Sequence, residues 1–197
     1  MKKNNHFNIK LNANKVNSAE LLRAFDNFGS KVLTPKSVSG QFFVSGVLDG
    51  YFDNAINLIQ RSLTGNLKLT LNNGALNQFE PLRRIGKYAF PFRNFDRVTI
   101  DPLVINIVFK NGFANIAPTP INTSVFNFDL AGSYGFYGNS NMQLDVHLRD
   151  PAKDKEITNK KVVQENRKKG ITLHLQAIEE GNAPFKIKLR YKNDKLQ

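Results

Sequence analysis

Gly65-Asn66-Leu67-Lys68-Leu69-Thr70-Leu71-Asn72-Asn73-Gly74 decides the reading of this chain, because Leu67, Leu69 and Leu71 alternate with Lys68 and Thr70. Successive side chains of a β-strand point to opposite faces, so the three leucines share one face and the polar residues the other. A helix would scatter the same leucines around its circumference. Asn73-Gly74 tolerates the positive backbone angles of a tight turn and is expected to close the strand as a hairpin.

The two-residue period recurs outward in both directions. Upstream, Phe7, Ile9, Leu11 and Ala13 alternate, and strand signals resume from Val38 to Leu48. Downstream, Val98 to Phe109 is almost continuously β-branched or apolar, and Asn111-Gly112 offers a second hairpin turn into Phe113 to Ala117. Pro118 and Pro120 are expected to bracket a crossing into Ile121 to Leu130, and Gly132 and Gly135 permit a turn into Met142 to Leu148. Alternation returns in Ile171, Leu173, Leu175 and Ala177, and again in Phe185, Ile187, Leu189 and Tyr191.

Helical spacing is rarer. Asn17 or Ser18 can cap a short helix through Phe28, with Leu21, Leu22, Phe25 and Phe28 on one face and Gly29 ending it. Ile56, Ile59 and Gln60 suggest a second over Asp53 to Leu63, and a third is expected around Phe79 to Gly86. Arg149 to Lys169 is highly charged and nearly free of large apolar residues, which predicts a mobile loop. The expected fold is mainly β: an antiparallel, strongly twisted sheet, capable of forming a groove, with two or three short helices in a single domain over residues 1–197.

Composition narrows function by exclusion. A hydrophobic content of 41% suits a chain that folds around a core. Zero cysteines exclude disulfides, thiol nucleophiles and thiolate metal sites. His6, His147 and His174 are dispersed along the sequence without metal-ligand spacing, and neither a nucleophile elbow nor a phosphate-binding loop is present. Asp49 with Asp53, or Asp96 with Asp101, could pair as carboxylates, yet each stands where a turn or cap role is expected. The expectation is a non-catalytic module without cofactor or metal. A net charge of +12 attracts polyanions, whether anionic lipid or nucleic acid. No apolar run reaches the ~20 residues a membrane-spanning helix needs.

Several of these motifs resemble a known family. Leu63-Thr64-Gly65-Asn66-Leu67-Lys68-Leu69, then Asn73-Gly74 running to Phe79-Glu80-Pro81-Leu82, is similar to the glycine, leucine and "NFEPL" pattern near the C-terminus of AsmA-family proteins, especially the long Bacteroidetes type. Phe109 to Pro118 resembles that family's strand, turn and strand with a proline-containing exit. Gly132-Ser133-Tyr134-Gly135-Phe136 stands where a "GTHTFD" type sequence is usual, with Tyr134 and Tyr137 replacing polar residues. The resemblance implies part of a longer, mostly periplasmic protein anchored in the inner membrane, serving outer-membrane biogenesis and lipid homeostasis. It implies phospholipid or another envelope lipid, the remainder of the same long chain and other envelope proteins as partners.

Two sets of candidate residues follow. Leu67, Leu69, Leu71, Ile105, Ile107, Phe109, Phe126, Phe128, Leu130, Leu144 and Val146 could line an apolar groove for lipid, or form a core beneath the helices. Lys153, Lys155, Lys160, Lys161, Arg167, Lys168 and Lys169 form a basic cluster for anionic head groups. The alternative is a basic β-domain that binds nucleic acid or another polyanion. Glu156 and Glu165 dilute the cluster, and the aromatics alternate as core positions do, which disfavours nucleic acid.

Overall fold

The computed structural model describes residues 5–24, 27, 33–90, 92–181, 183 and 186–191, the side chains of residues 24, 85, 88, 89 and 160 excepted. Among the described residues ten strands, β1 (Asn5–Asn17), β2 (Val38–Phe52), β3 (Thr64–Asn77), β4 (Arg97–Ile100), β5 (Leu103–Lys110), β6 (Phe113–Ile121), β7 (Asn127–Gly135), β8 (Asn141–His147), β9 (Thr172–Ile178) and β10 (Lys186–Leu189), form one open antiparallel sheet. The order is β1-β2-β3-β5-β6-β7-β8-β9-β10, with β4 paired to the far end of β3. Strands far outweigh helices, so the fold is mainly β with short helices, as the alternation requires.

The helices are α1 (Ser18–Ala24), α2 (Glu80–Ala89) and α3 (Lys160–Arg167). The Asn17 carboxamide oxygen accepts from the Ala19 backbone N–H at 2.8 Å and starts α1, whose Leu21 and Leu22 are buried. Phe25, Phe28 and Gly29, expected to continue and end that helix, lie outside the described residues, as does Phe185. α2 begins with Glu80 and Pro81, a carboxylate and a ring suited to a helix N-terminus, and carries Lys87 in its last turn.

Asn111-Gly112 makes the expected two-residue hairpin between β5 and β6, both residues at positive φ. Asn73-Gly74 does not turn the chain. Ser39 pairs with Ala75 and Gln41 with Asn72, so three steps along β3 oppose two along β2, and the dipeptide forms a bulge. There β3 exchanges its partner β5, paired to residues 65–71, for β4, paired to residues 74–77.

Three further expectations are corrected. Asp53 to Leu63 is not helical apart from a single turn at Gln60–Ser62. The Asp53 carboxylate accepts the backbone N–H groups of Ala55 and Asn57, each at 2.9 Å, and this local capture competes with helix formation. Pro118 and Pro120 do not bracket a crossing. They sit within β6 across a bulge between Ile116 and Thr119, where a missing N–H is tolerated.

Residues 149–169 are no loose loop, because they hold a 3-10 turn at Pro151–Asp154, capped by Asp150, and α3, capped by Asn159. Arg149 donates two hydrogen bonds to the Asp154 carboxylate at 3.0 and 2.7 Å, and the Asn166 amide donates a third at 2.9 Å. Those bonds replace the apolar contacts that the segment lacks.

The core lies on one face of the sheet in two clusters. The first gathers Leu71, Leu103, Phe128 and Val146 with Leu82 of α2, Phe90 and Phe95, centred on Phe126, whose ring stacks on Phe90 at 5.5 Å. Gly86 lets the Phe95 ring lie directly on α2, since a Cβ there would stand 2.3 Å from it. The second joins Leu21 of α1 to Val44, Leu48, Leu67, Leu69 and Phe109.

Candidate functional site

Strand register turns the alternation into a surface. One line of directly paired residues crosses all nine strands of the main path: Leu11, Gly46, Leu67, Ile107, Ile116, Gly132, Met142, Ala177 and Ile187. Directly opposed residues in antiparallel strands share a face. Every member of this line is apolar or glycine. At ~4.8 Å between strands the line runs about 38 Å across the sheet.

The neighbouring line, one residue out of phase, faces the other way: Lys10, Val47, Asn66, Val108, Asn115, Ser133, Asn141, Ile178 and Lys186. It mixes amides, a hydroxyl and two lysines with three aliphatics. The sheet therefore separates an apolar face from a mostly polar one.

Exposure along the apolar line decides what it can do. Leu67 is buried, Ile187 is 59% exposed, and the other seven are half-buried. Ile116, Met142, Ala177 and Ile187 belong to neither core cluster. They make a solvent-reached apolar strip, the trough of the sheet's core-bearing face, from the middle of the sheet to its β10 edge. Gly132 floors it because its φ of +131° and a would-be Cβ 2.2 Å from the Asn141 carbonyl oxygen admit no side chain.

The eleven residues expected to line a groove divide accordingly. Leu67, Leu69, Leu71, Phe109, Phe126, Phe128 and Val146 are buried in the two clusters and serve as core, correcting their assignment as lining. Phe126 lies in the segment before β7, outside the strands altogether. Ile105, Ile107, Leu130 and Leu144 are half-buried and remain at the surface of the apolar face. Leu130 and Leu144 continue directly into Leu175 of β9 and Leu189 of β10, the last 76% exposed. Residue choice by alternation missed Ile116, Met142, Ala177 and Ile187, whose signal was the same period.

The basic set divides too. Lys153, Lys155, Lys161, Lys168 and Lys169 are exposed, with Lys169 donating to the Asn166 side chain at 2.7 Å. The Lys160 side chain lies outside the described residues. Arg167 is corrected: only 2% exposed, it donates to the Asp129 carboxylate at 2.5 Å and to the Phe128 carbonyl at 3.1 Å, so it faces the sheet and not an external anion.

Around Arg167 the polar face carries an ionic network that linear spacing concealed. His147 Nε2 lies 3.1 Å from Asp129 and its Nδ1 3.1 Å from the Thr172 hydroxyl, while His174 Nδ1 lies 2.7 Å from Asp145. Arg190 also pairs with Asp145. Asp129 and Asp145 stand opposite one another on β7 and β8, so two histidines 27 positions apart in sequence share one patch. Burial alone would raise the Asp129 pKa, but hydrogen bonds from His147 and Arg167, with their charges, hold it below the ordinary value. The arginines neutralise both carboxylates. Among the described residues no group of three or more His, Asp or Glu side chains could hold a metal ion. Nor is any helix there long and apolar enough to cross a membrane.

A cleft of about 450 Å³ opens beside α2 between Glu80, Arg83, Arg84 and Lys87 on one side and Arg93 to Asp96 on the other. Its walls are mainly charged, so it differs in kind from the trough. Comparison with protein-family models, with curated proteins and with solved structures finds no match for this chain.

Proposed function

We propose that this chain is a non-catalytic module of a bacterial cell envelope that associates with lipid through the apolar face of its sheet. The trough line carries the reading: nine paired apolar or glycine positions in succession, half-open to solvent toward β10. An extended acyl chain lying across the strands would bury Ile116, Met142, Ala177 and Ile187, each covered methylene contributing about 0.8 kcal/mol. The motif resemblance to AsmA-family proteins supports the same reading and supplies the setting. On it, the chain works in the periplasm as part of a longer protein anchored in the inner membrane, in outer-membrane biogenesis and lipid homeostasis.

Native mass spectrometry of the folded chain, incubated with phospholipid and released gently, tests the proposal. Bound lipid is expected, and Met142→Glu with Ala177→Glu should abolish it while retaining a cooperative unfolding transition. Asn141→Asp, on the opposite face, should leave binding intact. A well-folded wild-type chain that holds no lipid would remove the reading.

A second reading, polyanion or nucleic-acid binding, is favoured by the exposed Lys153, Lys155, Lys161 and Lys168 and the charge of +12. It predicts steep salt dependence and tighter binding to DNA than to anionic vesicles at physiological salt.

A further inference from the structure

Phe92 is 100% exposed. A large aromatic held wholly in water, in a segment whose neighbours Phe90 and Phe95 are both buried, is an unusual placement. Its surroundings are strongly cationic. Between residues 80 and 97 the chain carries Arg83, Arg84, Lys87, Arg93 and Arg97 against only Glu80 and Asp96, a net of +3.

The two carboxylates do not neutralise the five cations. Glu80 pairs with Arg84 at 3.0 Å and stands 3.9 Å from Arg83, while Asp96 stands 3.7 Å from Arg83. Arg93 reaches Asp150 at 3.4 Å and lies over the Phe90 ring at 4.4 Å. Lys87, exposed in the last turn of α2, makes no ion pair among the described residues.

The segment is anchored in the core. Leu82, Phe90 and Phe95 are buried in the first core cluster, and the Arg93 guanidinium also donates to the Val125 carbonyl. The fold thus presents Phe92 next to a cleft that Arg83, Arg84 and Lys87 share with residues 93–96, on a base packed into the core.

We propose that α2 and residues 92–97 form a docking surface for an anionic lipid bilayer, Phe92 entering the acyl boundary while Arg83, Arg84 and Lys87 meet head-group phosphates. An exposed aromatic with flanking cations is the arrangement that interfacial elements use, combining apolar burial with electrostatic attraction. The fully exposed ring selects a bilayer over a soluble anion, which would use the cations and leave Phe92 in water. This inference is independent of the trough, since a chain that carries no lipid could still dock.

The chain contains no tryptophan, so Phe92→Trp introduces a unique reporter at the tip. With vesicles of phosphatidylglycerol in phosphatidylcholine, its emission should shift to the blue, and inorganic phosphate or duplex DNA should cause no such shift. In sedimentation with the same vesicles, Phe92→Ser should weaken binding by roughly tenfold or more. Lys87→Gln should weaken it by about fivefold at low salt. Both substitutions are at exposed positions outside the core clusters, so the thermal transition should be unchanged. Lys68→Gln, at an exposed cation on β3 outside this segment, should bind as the wild type does. Equal binding by Phe92→Ser, equal binding to pure phosphatidylcholine, or an unshifted emission from the introduced indole with bound vesicles would each overturn the proposal.

Discussion

Replacing Arg167 with alanine removes the cation that ties α3 to the polar face of the sheet. In the folded chain Arg167 is 2% exposed and its partner Asp129 has a side chain 13% exposed, so the pair is largely desolvated. Breaking a buried pair from one side costs about 3–5 kcal/mol, because an uncompensated charge stays behind. Asp129 keeps its contact with His147 and some access to water, which places the expected cost at the lower end, about 3 kcal/mol. For a chain of this size each kcal/mol lowers the melting temperature by about 2–4 °C, so the transition should fall by about 6–12 °C. A circular-dichroism melt at neutral pH measures it. Replacing both partners, Arg167→Met with Asp129→Leu, should recover much of the loss, since no charge is left stranded. A fall of under ~2 °C for the single variant would refute the view that this ion pair anchors α3.

Acid should act through the same groups. Asp129 and Asp154 are both held below the ordinary value of 3.8, Asp129 by His147 and Arg167 against its burial, Asp154 first by the Arg149 hydrogen bond. A depressed folded-state pKa stabilises fully above the unfolded value and is lost as pH falls through the folded one, so the urea midpoint should hold near neutrality and drop below about pH 4. Asp129→Asn should be less stable at neutral pH and show a shallower acid drop; an unchanged slope would exclude Asp129 as a contributor. Gly132→Ala should destabilise by about 1–3 kcal/mol, through strain at positive φ and a clash with the Asn141 carbonyl, read as a lowered urea midpoint.

Much of the architecture was legible in the sequence because alternation survives in almost every strand. Leu67, Leu69 and Leu71, or Leu173, Leu175 and Ala177, announce their face with no help from distant residues. Asn111-Gly112 was legible as a hairpin, whereas Asn73-Gly74 was not legible as a bulge, since both begin with an asparagine at positive φ. What separates them is the partner strand beyond the dipeptide. Residues 149–169 concealed their order for a related reason: Arg149, Asp154, Asn166 and Arg167 hold the segment through polar contacts, which leave no apolar period.

The candidate site was half legible. Period two sorts residues into faces, but it does not say which members of a face receive a cover. Leu69 and Phe128 are buried in the two core clusters, while Met142 and Ala177, identical in pattern, stay half-buried. Phe92 was invisible for the opposite reason, because a single aromatic in a Phe-rich segment reads as core. His147 and His174 came together only through register, which one-dimensional spacing does not encode.

Site-specific photo-crosslinking across adjacent positions tests the central claim most directly. A photoreactive side chain would be placed singly at Asn115, Ile116, Asn141, Met142, Ala177 and Ile178, and each folded variant irradiated with phospholipid. The trough predicts capture at Ile116, Met142 and Ala177 and little at the other three, giving a two-residue alternation on three separate strands. Ile178 is the sharpest control, being aliphatic but on the opposite face. Equal capture at Ala177 and Ile178, or no capture at any trough position, would contradict the lipid-bearing face.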